Sequence, residues 1–145
     1  MRVIGGEARG RPLRTPGSAA IRPTSDRVRE AVFDVLSSLD VLVGASVLDA
    51  FAGSGALGIE AISRGATSVT FVDSARDATV AIEENLARVG FAGRPGVRVV
   101  RADVLAYLGA ARVGYDVALL DPPYRFEDWP PLLGRLRARV AVLES

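Results

Sequence analysis

Val47-Leu48-Asp49-Ala50-Phe51-Ala52-Gly53-Ser54-Gly55-Ala56-Leu57-Gly58 decides how the rest of this sequence is read. An apolar run enters it, an acid stands near its end, and small residues then lead into Gly58-Ile59-Glu60-Ala61-Ile62 with helical spacing. That order predicts a strand, a tight glycine turn and a helix, the first crossover of an open α/β sheet. Glycines let a ligand approach the main chain, and the N–H groups at the helix start face it.

Gly53, Gly55 and Gly58 also satisfy the dinucleotide pattern G-x-G-x-x-G. A diphosphate on that turn wants neutral or positive surroundings, whereas Asp49 stands just before the glycines and repels it. The same carboxylate suits a ligand that carries an ammonium and a sulfonium. Between the two cofactors charge therefore favours S-adenosylmethionine over a nicotinamide, and a plain glycine turn with no ligand is the remaining alternative.

The chain has 145 residues, about half of them hydrophobic (49%), which is enough for one domain with a core. No apolar run reaches membrane length and no signal-peptide pattern follows Met1-Arg2, so the expected location is cytoplasmic, away from any membrane. Without cysteine or histidine, a thiol nucleophile, a His-centred triad and a zinc site of the usual ligands are excluded. Chemistry must rest on carboxylates, tyrosines, main-chain groups and a cofactor. No metal is expected.

All 18 basic residues are arginine and the net charge is +1, but unevenly spread. Residues 1–30 hold seven arginines against Glu7, Asp26 and Glu30, a net of +4, which leaves −3 for the remainder. Arg2, Arg9, Arg11 and Arg14 fall in a segment that reads as two short strands around a glycine turn. It has too few apolar residues to stand alone. Guanidinium groups grip phosphates in bidentate fashion, so the segment is expected to meet RNA. Residues 15–23 read as a linker, and Thr24 or Ser25 caps a helix with Asp26 in its first turn. Val28, Ala31, Val32, Val35 and Leu36 are its expected buried stripe. Arg27 and Arg29 are then expected on the opposite, RNA-facing side, beside Arg22. The chain thus divides into a basic hairpin and linker over 1–24 and a catalytic-type domain over 25–145.

Three more strands end in acids. Ser68 to Val72 is closed by Asp73, placed to accept the two ribose hydroxyls of an adenosine, with helix capping as the alternative. Val97 to Val100 is followed by Asp103-Val104, where the carboxylate can take an adenine amine and the Val104 N–H a ring nitrogen. A simple helix cap accounts for Asp103 equally well. The strand from Asp116 to Leu120 runs into Asp121-Pro122-Pro123-Tyr124. Pro122 holds Asp121 extended and Pro123 restricts Pro122 in turn, so this loop is stiff and offers acceptors only. The Asp121 carboxylate and Pro122 carbonyl can hold both N–H bonds of an exocyclic base amine and expose its lone pair. Tyr124 provides a face on which an extruded base stacks.

These segments resemble the RsmD-type 16S rRNA guanine-N2 methyltransferases. The likeness is carried by Arg2-Val3-Ile4-Gly5-Gly6 with Arg9-Gly10-Arg11, by Arg22-Pro23-Thr24-Ser25-Asp26-Arg27-Val28-Arg29-Glu30-Ala31, by residues 49–61 and by Asp121-Pro122-Pro123-Tyr124. The resemblance implies a Rossmann-like class I S-adenosylmethionine-dependent methyltransferase fold with an N-terminal basic β-hairpin and helix. It implies methylation of guanine 966 of 16S rRNA within the 30S subunit or its assembly intermediate. By position, Asp49, Phe51, Gly53 and Gly55 line the methionine side of the cofactor, Asp73 takes its ribose, and Asp103 with Val104 its adenine. Asp121, Pro122 and Tyr124 hold the guanine, with Pro123 stiffening the loop.

In one respect the sequence departs from that family. Residues 140–145 read as the fifth strand, so the final two strands of the family's seven are expected to be absent. The edge of strand five is then an expected surface for self-association or for a covering partner. The rival readings are a DNA adenine-N6 methyltransferase, whose usual target-recognition region this chain has no room for, and a non-catalytic RNA-binding assembly factor.

Overall fold

The computed structural model describes residues 1–15 and 25–144. Helix α1 (Asp26–Ser38) leads into a run of alternating strands and helices. These are β1 (Ser46–Ala50), α2 (Ala56–Ser63), β2 (Ser68–Asp73), α3 (Arg76–Arg88), β3 (Val97–Arg101), α4 (Val104–Ala111), β4 (Tyr115–Leu120), α5 (Trp129–Arg135) and β5 (Ala138–Leu143). The strands form one parallel sheet in the order β3-β2-β1-β4-β5. The chain builds outward from β1 through β2 to β3, then returns to lay β4 on the other side of β1. Ligands of such sheets bind at that reversal, beyond the strands' carboxyl ends.

Helices cover both faces of the sheet, and this is why its central strands are almost continuously apolar. Val47, Val69, Phe71, Val117 and Leu119 point into one core, shared with α1, α2 and α3. Leu48, Ala50, Val72, Ala118 and Leu120 point into the other, against α4 and α5. Asp49 shares the Val47 face and so looks toward α2. Helix α5 has no counterpart in the sequence reading. Trp129 and two prolines open it, and Leu132 anchors it in the second core.

Two N-terminal expectations need correction. The basic segment is not a pair of strands. Arg2 and Pro12 form a single antiparallel bridge, and turns fill the space between. The N–H groups of Val3, Gly10 and Leu13 donate across the turns to the carbonyls of Arg11, Val3 and Met1, and α2 supplies further partners. Glu60 accepts the Ile4 and Gly5 N–H groups, at 2.9 Å each, and Ser63 Oγ accepts that of Ala8, also at 2.9 Å. Val3, Ala8 and Leu13 are buried against the domain. A Cβ on Gly6 would lie 1.9 Å from the Ser63 carbonyl oxygen, so only glycine allows this approach.

Helix α1 is also rotated from the expected phase. Its buried side chains are Arg29, Phe33 and Leu36, while Val28, Ala31 and Val35 are exposed. Arg29 is fully buried, so it does not face outward for RNA. Its guanidinium donates to Asp26 at 2.9 Å and to the Arg2 carbonyl, and lies against buried Glu60. Arg64, one turn further along α2, reaches the same Glu60 carboxylate at 2.8 Å. A buried guanidinium is tolerated here because a carboxylate is buried with it.

Candidate active site at the strand ends

Ala50 of β1 stands opposite Leu120 of β4, so the glycine turn and the Asp121 loop leave the sheet side by side. Between them lies the reversal point of the sheet. Within the turn, Phe51, Gly53 and Gly55 all have positive φ, at 58°, 59° and 81°. For Phe51 that conformation is strained, and strain of this kind gathers at functional sites. Gly58 serves packing: a Cβ there would lie 2.3 Å from the Phe71 ring and 3.0 Å from Asp49 Oδ2.

Asp49 is buried under this turn. Its Oδ2 accepts the Gly58 N–H at 2.9 Å, in the first turn of α2. Its Oδ1 is buried with no hydrogen-bond partner among the described residues. Burial raises the Asp49 carboxyl well above its usual range, the Gly58 N–H opposes that shift, and the charges of Asp121 and Asp73 add to it. Three carboxyl groups, of Asp49, Asp73 and Asp121, thus lie within electrostatic reach of one another.

Asp73 ties the end of β2 to the turn. Its Oδ2 accepts the Gly53 N–H and its Oδ1 that of Ala75, both at 2.9 Å. Each oxygen keeps a further lone-pair direction for a ligand hydroxyl. Asp103 caps α4 by accepting the Ala106 N–H at 3.0 Å, beside the buried Val104 that begins the helix. The structure brings Asp49, Phe51, Gly53, Gly55, Asp73, Asp103, Val104 and Asp121 to the same edge of the sheet.

In the loop after β4, Asp121 is half-buried, Pro122 buried and Pro123 exposed, and Tyr124 is 87% exposed. The Phe126 N–H donates to the Pro123 carbonyl at 3.0 Å and closes a turn. Sequence reasoning missed the aromatic chain beyond it. Phe126 packs edge-on to Phe51, with ring centres 5.2 Å apart, and Trp129 packs edge-on to Phe126 at 5.1 Å. The two loops are therefore joined through aromatic rings. The aromatics two and five residues past Tyr124 were the available signal.

Arg9, Arg11, Arg14 and Arg27 present exposed side chains, as does Arg2, while Arg22 lies outside the described residues. Asn85 was missed too. It is fully buried on α3 directly after two exposed acids, Glu83 and Glu84, with nothing in the sequence to single it out. Glu60 was more visible, as the one charge in the apolar stretch Ala56–Ser63.

A doubly wound parallel sheet with a glycine turn and an Asp-Pro-Pro-Tyr loop flanking its reversal point defines a Rossmann-like domain of the methyltransferase kind. The chain belongs to the family described as conserved hypothetical protein 95, that of RsmD, whose profile matches residues 1–144. It is 42% identical over 125 residues to ribosomal RNA small subunit methyltransferase D of Escherichia coli K12, an alignment covering 86% of this chain and 61% of that protein. The protein of the same name from Haemophilus influenzae is 36% identical over 128 residues, with 87% and 65% covered. The chain thus spans about three fifths of the length of these curated relatives. Among solved structures, a hypothetical protein of Thermus thermophilus superposes with a TM-score of 0.82 at 36% identity, over 95% of this chain and 81% of that one.

Proposed function

We propose that the protein transfers a methyl group from S-adenosylmethionine to the exocyclic N2 amine of a guanine, guanine 966 of 16S rRNA in the small ribosomal subunit. The observation that carries this reading is the pairing, across the β1–β4 reversal, of the glycine turn with the Asp121-Pro122-Pro123-Tyr124 loop. The relatives' names support rRNA as the substrate class.

The residues present fit the cofactor. The Oδ1 of Asp49, buried and without a partner among the described residues, calls for a cationic or N–H donor partner, which the cofactor's ammonium provides. Gly53 and Gly55 let a ligand approach the main chain, Phe51 walls that side, and Asp73 has lone pairs for ribose hydroxyls. Asp103 and the Val104 N–H bracket the adenine position. When bound, S-adenosylmethionine supplies a methyl group made electrophilic by its sulfonium.

The chain's own task is to make a poor nucleophile good. Asp121 and the Pro122 carbonyl accept the two N–H bonds of the guanine amine and turn its lone pair out of ring conjugation. Pro123 holds that loop stiff, and exposed Tyr124 stacks the extruded base. The rate gain comes from positioning and fixed electrostatics. Arg2, Arg9, Arg11, Arg14, Arg22 and Arg27 contribute phosphate contacts that orient the RNA.

The test uses 30S subunits from cells lacking the endogenous activity, labelled S-adenosylmethionine, and mass spectrometry of the nucleosides, with Asp121→Ala alongside. N2-methylguanosine that disappears in the variant supports the reading. N6-methyladenosine, or cofactor binding without incorporation, overturns it.

A further inference from the structure

Asn85 uses its whole amide from a fully buried position on α3. Its Oδ1 accepts the Arg14 N–H at 2.8 Å, and its Nδ2 donates to the Arg14 carbonyl at 2.7 Å. The second Nδ2 proton goes to the Ser54 carbonyl at 2.8 Å, between Gly53 and Gly55 of the glycine turn. Arg14 lies 71 residues from Asn85 and Ser54 lies 31 away, so one amide joins two segments distant in sequence. The clasp grips only the main chain of Arg14 and leaves its guanidinium exposed.

We propose that Asn85 is a positioning residue that couples the arginine-bearing N-terminal segment to the ligand-binding turn, so that cofactor and RNA bind cooperatively. The inference rests on the reading of that turn as the cofactor site. A ligand on Gly53 and Gly55 fixes the Ser54 carbonyl, which fixes the Asn85 amide, which fixes the Arg14 main chain. Ordering of one segment lowers the entropy cost of ordering the other, and the effect is reciprocal by linkage. Asn85 touches neither ligand, so its contribution lies in coupling.

The decisive experiment follows amide hydrogen exchange by NMR in the full chain, with and without S-adenosylhomocysteine. Bound ligand is expected to slow exchange at Gly53 and also at Arg14, the latter about fivefold or more. Arg14→Ala keeps the main-chain clasp and is expected to retain the effect at residue 14, while Asn85→Ala abolishes it. The same Asn85 variant is expected to remove the gain in affinity for a guanine-containing RNA stem-loop that S-adenosylhomocysteine produces in the unaltered protein. Protection at Gly53 without protection at Arg14 overturns the proposal, as does coupling that survives Asn85→Ala. Absence of protection at Gly53 itself defeats the cofactor reading instead. If Asn85→Ala does not fold, Asn85→Ser, whose single hydroxyl cannot make all three bonds, takes its place, and protection at Gly53 without protection at Arg14 in the unaltered protein still overturns the proposal.

Discussion

Nε of Arg29 lies 3.5 Å from Oε1 of Glu60, and both side chains are sealed from solvent. Around this pair the N-terminal segment, α1 and α2 are joined. Glu60 also holds the Ile4 and Gly5 N–H groups, and Arg29 reaches the Arg2 carbonyl. The arginine-rich stretch that marks the family thus contains a strut as well as surface cations.

Removing that strut exposes the difference. Arg29→Met is expected to destabilise the fold by about 3 kcal/mol, because it leaves a buried carboxylate with Arg64 as its remaining cation among the described residues. Arg11→Ala, at an exposed position, is expected to leave stability within about 0.5 kcal/mol. Urea denaturation measures both. In RNA titrations over a salt series, Arg11→Ala is expected to reduce the slope of log affinity against log salt by about one. Comparable losses of stability in the two variants would contradict the burial described for Arg29.

Gly58→Ala tests the packing of α2 against the sheet. The new methyl group would meet the Phe71 ring and Asp49 at once, and both are rigidly held. A stability loss of about 1–3 kcal/mol is expected, together with weaker S-adenosylhomocysteine binding, since α2 must shift away from the turn. Calorimetry and denaturation read the two effects. A fully stable variant that binds normally would show that the helix approach is slack.

Asp49 gives a pH dependence of defined sign. Its carboxyl is raised in the folded chain, chiefly by burial, so the native state holds a proton that the unfolded chain has released. Its contribution to stability is therefore present below the usual carboxylate pKa and is lost as pH rises toward the elevated value. Relative to Asp49→Asn, the unaltered protein is expected to lose stability across that window. Affinity for S-adenosylhomocysteine is expected to change the other way: it rises with pH as Asp49 ionises to meet the ammonium, and it stays flat in Asp49→Asn over the same window. A flat profile in the unaltered protein would remove Asp49 from ammonium binding.

Tyr124 separates chemistry from folding. Its ring is almost wholly in solvent, so Tyr124→Ala is expected to change stability by less than about 0.5 kcal/mol. Loss of a stacked base costs about 1–3 kcal/mol, so methylation is expected to fall roughly tenfold to a hundredfold, with cofactor affinity unchanged and Tyr124→Phe close to normal. Single-turnover rates on 30S subunits measure this. An unaltered rate in Tyr124→Ala would place the target base elsewhere.

What the sequence determined by itself was local. Glycine spacing after an apolar run, acids at strand ends and Pro-Pro stiffening are properties of a few adjacent residues, and they marked Asp49, Asp73, Asp103 and Asp121 before any fold was known. The family resemblance extended that reading along most of the chain. Tertiary structure decided the relationships between distant segments. In α1 the apolar positions 28, 31, 32, 35 and 36 suggested one buried face. Phe33 and the Arg29–Glu60 pair turned the helix to another, because a guanidinium is buried only where a carboxylate from α2 meets it. The N-terminal segment folds back through one bridge and three main-chain hydrogen bonds, and Glu60 and Ser63, 55 or 56 residues away, accept the N–H groups of Ile4, Gly5 and Ala8. Asn85, clasping Arg14 and Ser54, had no periodicity or motif to reveal it. Hydrogen bonds spanning 31 and 71 residues exist only once the sheet has brought their ends together.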